Sequence, residues 1–378
     1  MIATDIVRGL LNLNARLNSI INDANLNVHL EDVSKCDFDY NCENILTTQF
    51  QQQVHYLQLS NEDTCKGINL LLTKCNFEQF HNLKCLTVIE PNDSLDAIIT
   101  LLPTFKQLKF LKLKETVHRS RDTLHLFSIV LSDKMPSLKN CMLLFNELID
   151  LSQSSLSNIE YLTLENCHFH DLLQLFNYTP KIKALTVGLT CLEHENRDCT
   201  NLFSKVPNLI NINFCRTIGI YFEYIEELLK NLPQLKELSC TAYKLDFSNA
   251  ECWYNVLKTL PLLEKFHLNL MLTNITRVVK EDIISKFDYY FIDKWPMIYE
   301  HHTINENILH IYTIPYPSSG FPASSYSYIS NIKNRTNKTY QNVEHVNLVI
   351  KNTSQLTLSS HYPNVYSLRI DSEEEWGE

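Results

Sequence analysis

The sequence of 378 residues contains only six glycines, and no two of them lie close together. Glycine-rich loops that cradle phosphates are therefore excluded. The patterns Gly-x-Ser-x-Gly, Cys-x-x-Cys and His-Glu-x-x-His are absent as well. These absences remove the sequence support for dinucleotide binding, P-loop chemistry, common hydrolases and zinc sites. We therefore expect no enzymatic activity and no cofactor, although a catalytic Cys/His pair assembled from distant residues stays open as an alternative.

Long apolar runs and a surplus of positive charge are also missing. No stretch approaches the ~18 to 20 apolar residues that span a bilayer, and the first residues lack the features of a secretory signal. The 33 basic residues are outnumbered by 43 acidic ones, for a formal net charge of −10. Phosphate backbones and anionic lipids attract basic surfaces, so we expect no nucleic acid partner and no membrane partner. A cytoplasmic or nuclear location is expected, with the twelve cysteines as free thiols.

A repeated phrase, apolar-x-x-apolar-x-apolar, is present along most of the chain and often follows a proline. Clear copies begin at Leu108, Ile159, Ile182, Leu209, Leu235 and Leu263, and weaker ones begin at Val54, Leu83, Leu138, Val343 and Val365. From Ile159 to Leu263 the successive intervals are 23, 27, 26 and 28 residues. These intervals fall in or near the range of roughly 20 to 29 residues that is typical of leucine-rich repeats. Each copy predicts one short strand.

Apolar residues at helical spacing fill the segments between these strands, for example Ile225, Leu228, Leu229 and Leu232 before Pro233. The predicted unit is a helix, a proline and a strand. The fold predicted from such units is an α/β leucine-rich-repeat solenoid, with a curved parallel sheet on its concave side and helices on its convex side. Residues 50–270 form the array, and residues 343–371 form the final repeats.

The phrase disappears in residues 271–342, which we interpret as an insertion. It contains a predicted helix around Ile283–Phe291, an aromatic strand at His310–Tyr316 and a loop at Pro317–Tyr328 rich in Pro, Ser and Tyr. One interpretation is a tolerated surface insertion. The other is a ligand-binding lip formed by aromatic side chains, namely Tyr312, Tyr316, Phe321, Tyr326 and Tyr328. The acidic tail, residues 372–378, is expected to be solvated.

One local cluster has the residue types of a metal site. Cys167, His168 and His170 are closely spaced soft ligands, but they follow a predicted repeat strand and no second ligand pair is recognisable. At Cys167, leucine-rich repeats commonly carry Asn or Cys to satisfy the turn after the strand. The sequence therefore favours a structural thiol and predicts no metal.

Residues between the apolar positions of each phrase are expected to line the concave sheet face and to bind a protein partner. Lysines stand out here in an otherwise acidic chain, and aromatic residues accompany them, so we expect an acidic or mixed peptide surface as the ligand. The candidate partner-binding residues are Lys109, Phe110, Lys112, Lys139, Glu160, Tyr161, Lys183, Asn213, Lys236 and His267, with Lys114 beside them.

Residues 5–21 carry an apolar stripe at intervals of four and three, which predicts a helix of about four turns within an amino-terminal segment of residues 1–30. Taken alone, this helix would cap the solenoid. The amino-acid sequence of this segment, from Asp5-Ile-Val-Arg8 through Asn14-Ala-Arg16-Leu17, also resembles the second half of an F-box. The chain as a whole then resembles an F-box protein with leucine-rich repeats, whose sequence begins inside the F-box.

This resemblance implies a substrate receptor of a cullin-RING ubiquitin ligase of the SCF type. The amino-terminal helix would dock on the Skp-type linker subunit, which joins the receptor to the cullin, and the repeats would hold a protein substrate. Linker docking is expected from Ile6, Leu10, Leu13 and Leu17. The alternative is a stand-alone scaffold or inhibitor built from leucine-rich repeats, without any linkage to a ligase.

Overall fold

The computed structural model describes residues 3–11, 13–31, 33–62, 67–115, 123–145, 156–191, 206–291, 293–302, 307–314, 320–324, 327–329, 345–350 and 367–372. The chain divides into two compact units. Unit one comprises residues 1–187 and 197–208, and unit two comprises residues 188–196 and 209–378.

Unit one is built of parallel strands that alternate with helices, which confirms the predicted α/β class. The strand order in its sheet follows the chain order from β1 to β7. The strands are β1 (Leu26–Leu30), β2 (Val54–Ser60), β3 (Cys85–Ile89), β4 (Phe110–Glu115), β5 (Asn140–Phe145), β6 (Tyr161–His168) and β7 (Ala184–Thr190), of which the last three residues are assigned to unit two. The helices are α1 (Ala3–Leu10), α2 (Ala15–Asn22), α3 (Lys35–Asn41), α4 (Gly67–Lys74), α5 (Leu95–Leu101), α6 (Thr123–Val130) and α7 (Phe169–Tyr178).

The apolar positions of the repeated phrase form continuous buried columns across this sheet. Leu111 of β4 pairs with Leu86 of β3 on one side and with Cys141 of β5 on the other, and Leu162 of β6 follows in the same column. All four side chains are at most 2% exposed. Alternate residues along each strand point to opposite faces of a sheet, so the residues between them lie on the other face. In β4 and β5 these residues are partly exposed, as predicted.

Unit two begins with the same alternation of parallel strands and helices. It contains β8 (Asn211–Ile218), α8 (Phe222–Lys230), β9 (Glu237–Ala242), α9 (Ala250–Lys258), β10 (Lys265–Leu272) and α10 (Arg277–Phe291). Aromatic side chains fill its core: Trp253 is fully buried and contacts Phe222, Phe247 and Phe266 at ring-centroid distances of 4.8 to 6.2 Å. The Trp253 indole also donates a hydrogen bond of 2.8 Å to the Phe247 carbonyl.

The predicted insertion adds antiparallel strands to the sheet of unit two. Strand β12 (Leu309–Thr313) pairs with β10 and with β11 (Met297–His302), which in turn pairs with β14 (Ser327–Ile329). The predicted helix is present but begins earlier, at Arg277. The prediction of a loop at residues 317–328 was wrong in part, because β13 (Gly320–Ser324) lies within these residues and β14 begins within them.

The final repeats do not continue the array beyond β10. Strands β15 (His345–Ile350) and β16 (Ser367–Ser372) form where the phrase predicts strands, with Val346 opposite Leu368 and Leu348 opposite Ile370. However, they pair with β13 in a separate three-stranded parallel sheet. The physical reason is that antiparallel β12 already occupies the edge of β10 where a further repeat would have to pair. Residues 373–378, the rest of the predicted tail, lie outside the described part of the chain.

The prediction of one four-turn helix at the amino terminus was wrong, because α1 and α2 are separate helices. Asn14 precedes α2 in an extended conformation, and its Oδ1 accepts a hydrogen bond of 2.9 Å from the Leu17 amide. Such N-capping replaces the continuation of the preceding helix. Val7 and Ile21 are buried, whereas Leu13 stands in the turn between the helices and is 64% exposed.

Replacement of Leu111 by Ala should lower the free energy of unfolding by about 2 to 5 kcal/mol, because it opens a cavity in a buried column. The neighbouring change Lys112→Ala lies on the opposite face and should alter it by less than about 0.5 kcal/mol. Urea unfolding followed by circular dichroism measures both values. Equal losses from the two changes would contradict the assignment of faces.

Candidate functional site

Lysines precede four of the parallel strands in unit one. We define the lysine row as Lys84, Lys109, Lys139 and Lys183, together with Glu160, which lies between the last two. Each member stands one residue before its strand, from β3 to β7. The row is held by backbone hydrogen bonds between its neighbours, with N–O distances of 2.8 Å from Lys109 to Lys84, 3.0 Å from Lys139 to Lys109, 2.8 Å from Glu160 to Lys139 and 2.7 Å from Lys183 to Glu160.

The carbonyls of Lys84, Lys109, Lys139 and Glu160 each also accept a second amide, that of the first residue of the next strand. The Lys84 carbonyl accepts from Phe110, that of Lys109 from Asn140 and that of Lys139 from Tyr161. Two hydrogen bonds at each step fix the backbone of one member relative to the next. The side chains therefore project from a framework of regular strand-to-strand spacing.

Glu160 bridges the two lysines that flank it. Its Oε1 lies 2.7 Å from Lys139 Nζ, and its Oε2 lies 2.6 Å from Lys183 Nζ. Hydrogen bonds from these lysines lower the pKa of Glu160 to about 2. The Glu160 side chain is 16% exposed, whereas those of Lys139 and Lys183 are 57% and 46% exposed. The carboxylate is therefore saturated by its two neighbours, while the lysines keep open solvent-facing sides.

Two other predicted lysines have no such acidic partner. Lys109 is exposed and Lys112 is half-exposed, and neither side chain has an ion pair or hydrogen bond within the described part of the chain. Phe110 lies between them and is half-exposed, and Tyr161 of β6 is 47% exposed. Phe110, Lys112 and Tyr161 thus lie at exposed or half-exposed positions of β4 and β6, and Lys109, Lys139, Glu160 and Lys183 lie in the adjoining row, one residue before their strands.

Sequence reasoning missed two contacts of this face. Lys84 donates a hydrogen bond of 3.3 Å to His55 Nδ1, and burial followed by the charge of Lys84 lowers the pKa of His55. Lys114 lies 3.1 Å from Glu62, so one cation of the predicted basic group is neutralised. Lys84 follows Leu83 as Lys109 follows Leu108, and this shared position was the signal that could have identified it.

The equivalent face of unit two carries balanced charge. Lys236 lies 3.3 Å from Glu264, and Lys265 forms an ion pair with Glu237. Glu237 also accepts a hydrogen bond of 2.7 Å from Asn211 Nδ2. Paired charges leave this surface with little attraction for a charged partner.

The remaining predicted residues of this face are half-exposed Asn213 and His267. Burial lowers the pKa of His267, an effect that Glu237 partly offsets. Its Nδ1 is buried, without a hydrogen-bond partner in the described structure. A neutral imidazole adds no positive charge, so Asn213, Lys236 and His267 make a weaker candidate site than the lysine row.

The predicted cluster at Cys167 is part of the structure of the repeat. Cys167 is fully buried, and its thiol contacts the His168 carbonyl at 3.2 Å. Burial raises the pKa of this thiol well above its ordinary value. His170 contacts Gln174 at 2.8 Å between their ring and amide nitrogens. No group of three or more His, Cys, Asp or Glu side chains suited to a metal ion occurs among the residues that the structure describes.

The aromatic lip proposed for the insertion is not supported at its first residue. Tyr312 is fully buried in β12 and packs 4.9 Å from His310 between ring centroids. Tyr316 and Tyr326 lie outside the described residues, as do residues 317–319 and 325 of the predicted loop. Tyr312 therefore serves the core of unit two and is not available to a ligand.

The predicted linker-docking residues are divided between the two amino-terminal helices and the turn. Ile6 and Leu10 of α1 and Leu17 of α2 are half-exposed, and Leu13 is the most exposed of the four. Arg8 anchors α1 to α3 through an ion pair of 2.8 Å with Asp37, and its guanidinium lies 4.3 Å from the centroid of the Tyr40 ring. The segment is thus fixed to unit one and presents Leu13 to solvent.

No protein-family model matches the chain, and no curated protein sequence is significantly similar to it. Among the helices in the described ranges, none is both long and apolar enough to cross a membrane.

Removal of one partner of the Glu160 bridge should raise the pKa of this carboxyl group from about 2 toward its ordinary value of 4.5. We expect Lys139→Met and Lys183→Met each to raise it in part, and the double change to raise it further, because each lysine donates its own hydrogen bond. Carboxyl carbon chemical shifts followed by NMR across an acid titration measure this pKa. An unchanged titration in the double variant would show that the bridge does not form.

Proposed function

We propose that the chain is a leucine-rich-repeat solenoid that binds a protein through the face carrying the lysine row, as the substrate receptor of a cullin-RING ubiquitin ligase of the SCF type. The observation that supports a binding role is the pair of cations at Lys109 and Lys112 beside Phe110, since neither has an ion pair or side-chain hydrogen bond within the residues that the structure describes. Aromatic rings are prominent in the energetics of protein interfaces, and cations on a surface steer and orient a partner that carries the opposite charge. No catalytic role is part of this proposal.

A protein fits this surface better than a nucleic acid does. The chain carries a net charge of −10, so a long polyanion would be repelled by most of the molecule. A short acidic segment of a protein can engage a local group of cations without meeting the rest of that charge, because screening limits the repulsion to about 8 to 10 Å.

The proposed link to the ligase is the segment α1–α2, in which Leu13 and Ile20 are exposed by 64% and 56%. Exposed large apolar residues on a segment anchored to the rest of its unit are suited to docking. This half of the proposal rests on the resemblance of residues 5–21 to an F-box. The second candidate is a scaffold or inhibitor that uses the same lysine-bearing face without any linker subunit.

Loss of charge at the proposed surface should reduce partner capture. We expect Lys109→Gln with Lys112→Gln to lower the yield of captured protein from cytosol several-fold, because both cations of the proposed surface are removed while the fold is retained. The matched control is Lys230→Gln with Lys286→Gln, since these lysines pair with acids of their own helices. Quantitative mass spectrometry of the captured proteins measures the yield. Equal capture by both double variants would exclude this surface.

The change Leu13→Asp should abolish recovery of the Skp-type linker and the cullin while the melting temperature stays the same, because the side chain is exposed. Immunodetection of both subunits after affinity capture measures the result. Their absence from the unmodified chain would instead favour the stand-alone scaffold. That outcome leaves the lysine-row experiment unaffected.

A further inference from the structure

The lysines of the row lie along a line that crosses the strands, and the orientation of this line constrains the shape of a partner that contacts all of them. The four lysines lie across the strands, one per strand from β3 to β5 and then on β7. Along the strands the cations are fewer: Lys109 is followed in β4 by Lys112 and by Lys114, which pairs with Glu62, and the exposed-face positions of β5 and β6 hold none. The positive charge therefore forms a line perpendicular to the strands.

We propose that the partner segment is an acidic α-helix lying across strands β3 to β7, with its carboxylates directed at the lysine row. This inference rests on the proposed function, since it names the class of protein segment that the same surface receives. The argument depends on spacing, on the position of Glu160 and on the place of the aromatic residues beside the row.

The spacing of the row matches a helix. Neighbouring strands lie about 4.8 Å apart, so Lys84, Lys109 and Lys139 are separated by steps of roughly this size. A helix rises about 1.5 Å per residue, so residues three and seven positions apart are separated by ~4.5 and ~10.5 Å along its axis. These values differ from one and two strand spacings by less than about 1 Å. Lysine side chains easily absorb such a difference.

An extended segment fits the row less well. Its side chains return to the same face every ~6.7 Å, so the second and third contacts would be displaced by ~2 and ~4 Å from the lysines. Such a segment could follow β4 instead, but in that direction it would meet only Lys109, Lys112 and Lys114, and the last of these already pairs with Glu62. The long axis of the positive charge thus favours the helix.

Glu160 sets the pattern of charge that the helix must carry. It stands three strand steps after Lys84, at ~14.4 Å, and Lys183 follows at ~19.2 Å. The helix positions closest to these distances are ten and thirteen or fourteen residues after the first contact. We therefore expect acidic residues at positions 1, 4, 8 and 14 or 15 of the segment, with a basic or neutral residue at position 11 opposite Glu160.

Aromatic side chains flank the row on the strands themselves. Phe110 and Tyr161 are the first residues of β4 and β6, two strand steps apart at ~9.6 Å. On a helix, two apolar residues seven positions apart are separated by ~10.5 Å, so they can contact both rings. The partner helix would accordingly be amphipathic, with an acidic stripe beside an apolar one.

Synthetic fluorescent peptides test this inference by fluorescence anisotropy with the full-length protein. The first is an alanine-rich helical peptide with Glu at positions 1, 4, 8 and 15, Lys at position 11 and Leu flanking the acidic stripe. The second has the same composition, with the glutamates spread around the helix. The third, rich in Val and Thr, has the same charged residues at alternate positions and is extended. We expect the first to bind at least ten-fold more tightly than the other two.

Protein variants identify the surface at which the first peptide binds. Lys109→Gln with Lys139→Gln should weaken its binding about ten-fold, whereas Lys230→Gln with Lys286→Gln should leave it unchanged. A peptide with Glu in place of Lys at position 11 should bind less tightly, because it meets Glu160. Equal affinity for the first two peptides, stronger binding of the extended peptide, or no binding of any would overturn the helical partner. A single-stranded oligonucleotide that bound more tightly than all three would overturn the class of partner.

These outcomes are separable from the test of the proposed function. If cellular partners depend on Lys109 and Lys112 but the extended peptide binds best, the surface binds proteins and the inferred helix is wrong. If capture does not depend on these lysines, the proposed binding surface fails regardless of the peptide results.

Discussion

In-register pairing of parallel strands is the constraint on which the rest of the structure depends. Because Leu86, Leu111, Cys141 and Leu162 pair directly with one another in sequence, their buried side chains form one continuous column, and a shift by one residue would expose all of them. The same register places the residues of the lysine row opposite one another. Core and candidate surface are thus two consequences of one alignment of the backbone.

The strands of the array were predictable from sequence because each shows the full apolar phrase. Strand β1 was missed since Leu26, Val28 and Leu30 have one residue fewer between the first two apolar positions, and the pairing of β1 with β2 shifts register there. The sequence pattern did not predict the first turns of α10, because the residue buried there is the charged Lys280, whereas the apolar Val278 is 76% exposed. An apolar pattern cannot identify such a turn.

The candidate site was predictable in its members but not in its charge. Alternation along β4 and β6 placed Phe110 and Tyr161 on the exposed face, where Phe110 is half-exposed and Tyr161 is exposed. Which lysines are neutralised depends on contacts between residues far apart in sequence, such as Lys114 with Glu62. The buried Tyr312 shows the same limit, since its burial follows from the antiparallel pairing of β12, which the repeat pattern does not contain.

The Glu160 bridge affects binding less through its charge than through the order it imposes. Exposed ion pairs contribute little to stability, so a partner carboxylate can compete for Lys139 or Lys183 at small energetic cost. Until then, both side chains are held by Glu160 close to the line of the row. Side chains already restricted before binding lose less conformational entropy when a partner arrives. The Glu160 carboxylate therefore lowers the net positive charge of the row by one. It also holds Lys139 and Lys183 in the arrangement that a regularly spaced acidic partner requires.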